Sequence, residues 1–132
     1  MIEPPIAKGV FLCEAVIVEE ETRNVSLINC FTRRVVDGFP SPLQQFYVFA
    51  IVTNGYGTMP LRMVVTDLND GSELLAVIGV LEFSDPLDEK RALVPVKNLV
   101  FRHPGVYEVA LESNGAYLTR ARFKLESWED VS

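Results

Sequence analysis

The sequence predicts an all-β protein, an antiparallel β-sandwich of about seven to eight strands. Three observations carry this expectation. Apolar residues recur with period 2 along most of the chain and almost nowhere with the 3.6-residue period of an amphipathic helix. The apolar segments are separated by "EEETR", "DGFPSP", "NGYGT", "NDG", "SDPLDEK", "RHPG" and "SNG", each rich in Gly, Pro, Asn, Asp or Ser or in charge. The segments follow one another every 10–14 residues or so, the rhythm of a sandwich or barrel. At 132 residues the chain has the size of one domain, 1–132, with a short acidic tail at 126–132. A chain of this length buries roughly two thirds of its unfolded surface, enough for a core without staples.

In chain order, the first two strands fall at 8–18 and 24–36, on either side of "EEETR". If that segment closes a hairpin with Val18 opposite Val25, Cys13 falls opposite Cys30. Two readings stay open: a pair of small core residues, or a redox-sensitive cross-strand disulfide, a bond that adjacent strands strain. The third strand, 43–53, and the fifth, 73–83, are apolar on both alternations. The fourth, 59–68, and the sixth, 92–101, contain Pro60 and Pro95, which places those residues on edges or at bulges, because proline cannot donate to a ladder.

The seventh and eighth strands, 105–112 and 116–126, make the last hairpin. Opposed residues must share a face. A two-residue Asn114-Gly115 loop would set Val109 against Arg120, mixing core with solvent. A three-residue Ser113-Asn114-Gly115 loop instead pairs Leu111 with Tyr117, Val109 with Thr119 and Tyr107 with Ala121, and Glu108 with Arg120 on the other face. The stripe Arg120, Arg122, Lys124 is then a solvated face with cross-strand ion pairs.

Gly105-Val106-Tyr107, entering the next-to-last strand after a turn, has the pattern of the tyrosine corner of immunoglobulin-like sandwiches, in which the hydroxyl bonds backbone at the sandwich end. The fold expected is therefore an immunoglobulin-like Greek key, with Tyr107 and Gly105 as structural corner residues. His103, the one histidine, sits ahead of Pro104 and reads as a turn residue rather than a catalytic base.

Composition narrows function by exclusion. Net charge is −6, which disfavours a phosphate-binding surface, so no nucleic-acid partner is expected. The longest apolar run, Leu74 to Leu81, is far shorter than the roughly 20 residues of a membrane span, and "MIEPPIAKGVFLCE" has no secretory signature. With two cysteines, a cytoplasmic, reducing setting is expected, and the sequon Asn24-Val25-Ser26 reads as a chance match. One His with two strand-borne Cys makes neither a nucleophilic triad nor a zinc site. "DLNDGSE" lacks the calcium-loop spacing and reads as a turn at Asn69-Asp70-Gly71, and "NGYGTMP" lacks the third glycine and helix of a nucleotide site. Asp85, Asp88 and Glu89 share a solvated loop. No catalytic residue, metal or cofactor is expected, and the chain reads as a non-enzyme.

The remaining signal is an apolar excess: 48% apolar residues against 23% charged. A two-layer sandwich buries one face of each strand, so 43–53 and 73–83 need a second cover. With Phe46, Val48, Ala50 and Val52 inward, the outer set expected is Phe49 and Ile51 with Leu75 and Val77. "FLCE", "VSLINCF", "DGFP" and "HPGVYEVALESNG" together resemble an uncharacterised bacterial family of small stand-alone β-sandwich proteins. That resemblance implies an immunoglobulin-like sandwich in a bacterial cytoplasm and no assigned catalytic residue. The function expected is self-association, as a homo-oligomer, or docking of a protein partner. The alternative is a small-ligand or glycan module using loop aromatics, Tyr56 and Trp128.

Overall fold

The computed structural model describes residues 5–42 and 45–131. Twelve strands run through them: β1 (Ile6–Cys13), β2 (Ala15–Val18), β3 (Val25–Ile28), β4 (Arg33–Val36), β5 (Ser41–Pro42), β6 (Phe46–Thr53), β7 (Gly57–Asp67), β8 (Glu73–Phe83), β9 (Lys90–Val96), β10 (Val100–Phe101), β11 (Gly105–Ser113) and β12 (Ala116–Ser127). One helical turn, α1 (Trp128–Val131), follows. The fold is all-β. A three-stranded sheet, β1-β6-β9, packs against a five-stranded sheet, β4-β12-β11-β7-β8, and two small ladders, β2-β3 and β5-β10, flank them.

There are more strands than the eight expected, because three predicted strands divide and β5 forms within the expected loop "DGFPSP". The segment 8–18 bends at Glu14, whose N–H bonds the Ile28 carbonyl. The segment 24–36 is interrupted at Asn29, and 92–101 at Asn98, both with left-handed backbone (φ 52° and 58°). Asparagine tolerates that conformation better than most residues. The first residues of the predicted strand 43–53, Leu43 and Gln44, lie outside the described residues, as do 1–4 and 132. The tail also starts later than expected. Glu126 and Ser127 belong to β12, where Glu126 is buried beside Arg33 and Lys124.

The core is what the inward alternation of both sheets dictates. Phe46, Val48 and Ala50 from β6 meet Met63 and Val65 from β7, Tyr107, Val109 and Leu111 from β11, and Phe123 and Leu125 from β12. Each large side chain so buried contributes roughly 1.5–3 kcal/mol of transfer free energy. Phe31, Phe46, Phe101, Tyr107 and Phe123 meet ring against ring, with Phe101 edge-on to Tyr107 at 4.8 Å between centroids and Phe46 edge-on to Phe123 at 6.1 Å. The ring quadrupole favours such edge-to-face contacts.

The two prolines expected within strands sit where their missing N–H is tolerated. Pro95 is in β9, an edge. Pro60 pairs with Val80 of β8 but lies beyond the β7–β11 ladder, which ends at Arg62–Glu112. There the Ser113 hydroxyl donates to the Pro60 carbonyl at 2.6 Å.

The last hairpin corrects the expected loop. Ser113 pairs with Ala116, so Asn114-Gly115 is a two-residue turn, both residues with positive φ (51° and 79°). This is the primed turn that fits strand twist. Parity is restored inside β12 instead, by a register shift between Leu111–Thr119 and Glu112–Tyr117 that leaves Leu118 as the extra residue. Val109 then pairs with Ala121, Tyr107 with Phe123 and Glu108 with Arg122. Tyr107, Val109 and Leu111 keep their inward assignment, but Tyr117, expected opposite Leu111, pairs with Glu112 and lies on the outer face with its hydroxyl on Glu108.

Candidate interaction surface

The two doubly apolar strands lie in different sheets, so their outer sides point away from each other. β6 is the central strand of the three-stranded sheet. Its outward residues are Phe49 and Ile51, as expected, but Phe49 is only 5% exposed. Phe11 of β1 and Leu93 of β9 stand directly opposite it on either side. They are themselves 47% and 44% exposed, so the row is roofed at its centre and open at its flanks.

For β8 the expected orientation is wrong. Leu75 and Val77 turn inward and pack on the core, while Ile78 and Val80 stand out at 76% and 63% exposed. The reason is register. Val77 pairs with Met63 and Leu75 with Val65, both buried core residues of β7, and opposed residues share a face. The four residues therefore form no joint surface: Phe49 and Ile51 lie outside one sheet, Leu75 and Val77 inside the other.

β8 is also the edge of the five-stranded sheet. Sheet edges are ordinarily guarded by short length, Lys or Arg, proline or bulges. β4 has four residues, two of them Arg33 and Arg34. β9 carries Lys90, Arg91 and Pro95. β1 carries Lys8 and a register shift between Ala7 and Val10. β8 runs for eleven residues with no charge or proline between Glu73 and Glu82. Its one irregularity lies at the Glu73 end. Between β8 and β9 runs a groove lined by Val77, Gly79 and Leu81 on one side and Ala92, Leu93 and Val94 on the other.

The rest of the outer face of the five-stranded sheet is polar and interlocked. Glu108, buried, accepts from the Tyr117 hydroxyl at 2.9 Å and faces Arg122 at 3.4 Å and Arg120 at 3.9 Å. The Glu108 carboxylate, by holding that hydroxyl's proton, raises the Tyr117 pKa, and burial adds to it. Arg62 reaches Glu73 at 2.8 Å and Glu112 at 3.2 Å. The Arg62–Glu73 pair, at the surface, contributes little stability, and together these contacts leave β8 as the apolar border of a charged sheet.

The corner is built as the sequence suggested. Tyr107, fully buried, donates to the His103 carbonyl at 2.5 Å. Gly105 has φ 143°, and a Cβ there would meet the Asn69 side chain at 2.4 Å, so glycine is required by backbone and by space. The β7–β8 turn reaches this corner: Asp67 Oδ1 accepts from the Asn69 backbone and side-chain N–H, and Asp67 Oδ2 lies 2.8 Å from His103 Nε2. Asp67, Asp70 and His103 bring three potential ligand atoms within 4.8 Å of one another. The Asp67 oxygens are taken as described, and Asp70 Oδ1 accepts from the Ser72 N–H and hydroxyl. The cluster reads as turn chemistry. Sequence reasoning missed the Asp67–His103 contact, since 36 residues separate the partners.

Cys13 is buried and Cys30 exposed, both as free thiols. Burial, and secondarily the neighbouring Cys30, push the Cys13 thiol pKa up, which makes it a poor nucleophile. The hairpin register expected from Val18–Val25 is observed. Tyr56 is 66% and Trp128 60% exposed, and neither stacks on another ring among the described residues. No helix among the described residues is long and apolar enough to cross a membrane.

A comparison with the curated proteins finds no match. A family model does match, over residues 8–126, from the middle of β1 to nearly the end of β12, and so takes in the corner, the roofed row and the whole of β8. The chain belongs to the family of unknown function DUF6941.

Proposed function

We propose that this chain is a non-enzymatic interaction module that takes up a further β-strand along the free edge of β8. The observation that carries the reading is the contrast among the large-sheet edges: β1, β4 and β9 are guarded, and β8 is not. An exposed, long, apolar edge is a template for pairing, and its main-chain groups supply affinity while side-chain pockets supply register. Ile78 and Val80 then gain cover that no other described residue gives them.

The sandwich itself we read as an immunoglobulin-like Greek key. Support comes from the Tyr107 corner and from the sharing of the N-terminal region between sheets, β1 in one and β4, parallel to β12, in the other. Two unlinked cysteines suit a reducing, cytoplasmic setting.

The test uses a fluorescent peptide copy of residues 73–83 carrying lysines at its ends for solubility. Fluorescence anisotropy should show saturable binding to the wild-type chain. The double variant Ile78→Lys/Val80→Lys, which installs the guard the other edges have, should lose binding with an unchanged β spectrum. A wild-type chain that, at concentrations where it is a single chain, does not bind the peptide refutes the reading.

A further inference from the structure

We propose that the strand taken up along β8 is the β8 of a second copy, laid antiparallel about a two-fold axis at Ile78. The inference rests on the edge reading above and adds to it the partner, the direction and the register.

Direction follows from charge. The ionisable residues of β8 are Glu73 and Glu82, near its two ends. A parallel, in-register pair would set each glutamate against its own copy, and like charges directly opposed are destabilising. An antiparallel pair avoids this. Register follows from symmetry and exposure. In an antiparallel pair of identical strands the two-fold axis passes through a residue that faces itself, and an axis at Ile78, the most exposed large apolar residue of β8, pairs the regular stretch Leu75–Leu81 of the two copies in full, short of the irregularity at Leu74.

The side chains fit this register. On the outer face Ile78 meets Ile78 and Ala76 meets Val80, joining the exposed apolar side chains of both copies across the axis. On the other face Leu75 meets Leu81 and Val77 meets Gly79. Above Gly79 there is open space, with no atom within 4 Å of where a Cβ would stand, so the larger residue faces the smaller. Arg62, paired with Ile78 across the β7–β8 ladder, stays tied to Glu73 and Glu112. Five strands from each copy would form one continuous sheet of ten, with the guarded β4 at both ends. The interface is closed, in the manner of an isologous dimer.

The experiment uses the full chain with Cys30→Ser to remove the exposed thiol. Light scattering behind a sizing column should give twice the chain mass, falling to one chain in Ile78→Lys/Val80→Lys. A short bis-maleimide should link Ile78→Cys to itself, and Ala76→Cys to Val80→Cys in a mixture of the two. Neither of the latter should link to itself, because directly opposed Cβ atoms stand roughly 5 Å apart, whereas four residues along a strand span about 13 Å. Self-linking of Ala76→Cys overturns the Ile78 axis. A single-chain mass at every concentration, with the β8 peptide still bound, overturns the dimer and leaves the edge reading standing. A wild-type chain that runs as a single-chain species and does not bind the peptide overturns both, whereas a double-mass species that excludes the peptide supports both.

Discussion

β6 and β8 look alike as sequence and differ as structure. Each is apolar on both alternations, and each has one alternation in the core. β6 has a strand on both sides, so its outward Phe49 is roofed by Phe11 and Leu93 and reaches the burial of a core residue. β8 has a strand on one side only, so Ile78 and Val80 remain in solvent. The same pattern therefore has two physical meanings. In a central strand the second apolar face can be covered by cross-strand neighbours. In an edge strand it stays open.

The largest effect expected from this difference is at Phe49. Phe49→Ala should destabilise the chain by about 3 kcal/mol in urea melts, as large-to-small changes at buried aromatics do. Ile78→Ala, measured at concentrations too low for association, should stay within about 0.5 kcal/mol, the usual range at exposed positions. Equal losses at the two sites would erase the distinction between a roofed face and an open one.

An intermediate effect, from outside both strands, sets the scale. Tyr107→Phe should cost roughly 0.5–2 kcal/mol, because the His103 carbonyl loses its buried donor. Burial first, and the Asp67 carboxylate second, hold the Tyr107 pKa above the ordinary tyrosine value near 10. A raised folded-state value means that the associated stability is complete below about pH 10 and declines as pH rises through the folded pKa. The Phe variant should lack that alkaline limb in a series of melts against pH.

The smallest effect separates a guarded edge from the unguarded one. Hydrogen bonds from Lys124 first, and Arg33 second, hold the Glu126 carboxyl below the usual carboxylate range, and Arg33 belongs to the edge strand β4. A lowered folded-state value means that this contribution is present above the ordinary carboxylate pKa and is lost as pH falls through the folded one. Protection of the β4 amides, corrected for the intrinsic pH dependence of exchange, should fall in acid, and Glu126→Gln should show the lower protection at neutral pH already. An acid-induced loss of protection surviving in Glu126→Gln would assign the effect to another carboxylate.

Much of the architecture was legible because period and punctuation are local signals. The strands, the inward set of β6, the Tyr107 corner, the Val18–Val25 hairpin and the edge position of Pro95 all follow from short stretches of chain. Three features did not. The outward set of β8 depends on which residue of β7 lies opposite, and Met63–Val77 is a partnership that alternation within β8 alone cannot reveal. The last hairpin repaired its parity by a bulge at Leu118 rather than in the turn, which keeps Tyr107, Val109 and Leu111 inside but turns Tyr117 out. The roof over Phe49 needed Phe11 and Leu93, from strands far apart in sequence, to flank one central strand. The reading of the surface failed where it needed neighbours across a ladder, and succeeded where it needed only neighbours along the chain.

The parallel pairing of β4 with β12 has a mechanical consequence. If the chain is pulled by its two ends, force that reaches β4 enters from its N-terminal side, while force on β12 leaves from its C-terminal side. In a parallel pair those directions slide one strand along the other, so the ladder from Lys124–Arg33 to Ser127–Val36 is strained along its whole length at once. An antiparallel hairpin such as β11–β12, drawn apart at its open end, gives way one rung at a time. Four residue pairs in shear would thus resist tension more than their number suggests, and the Arg33–Glu126 contact lies across that sliding direction as a brake.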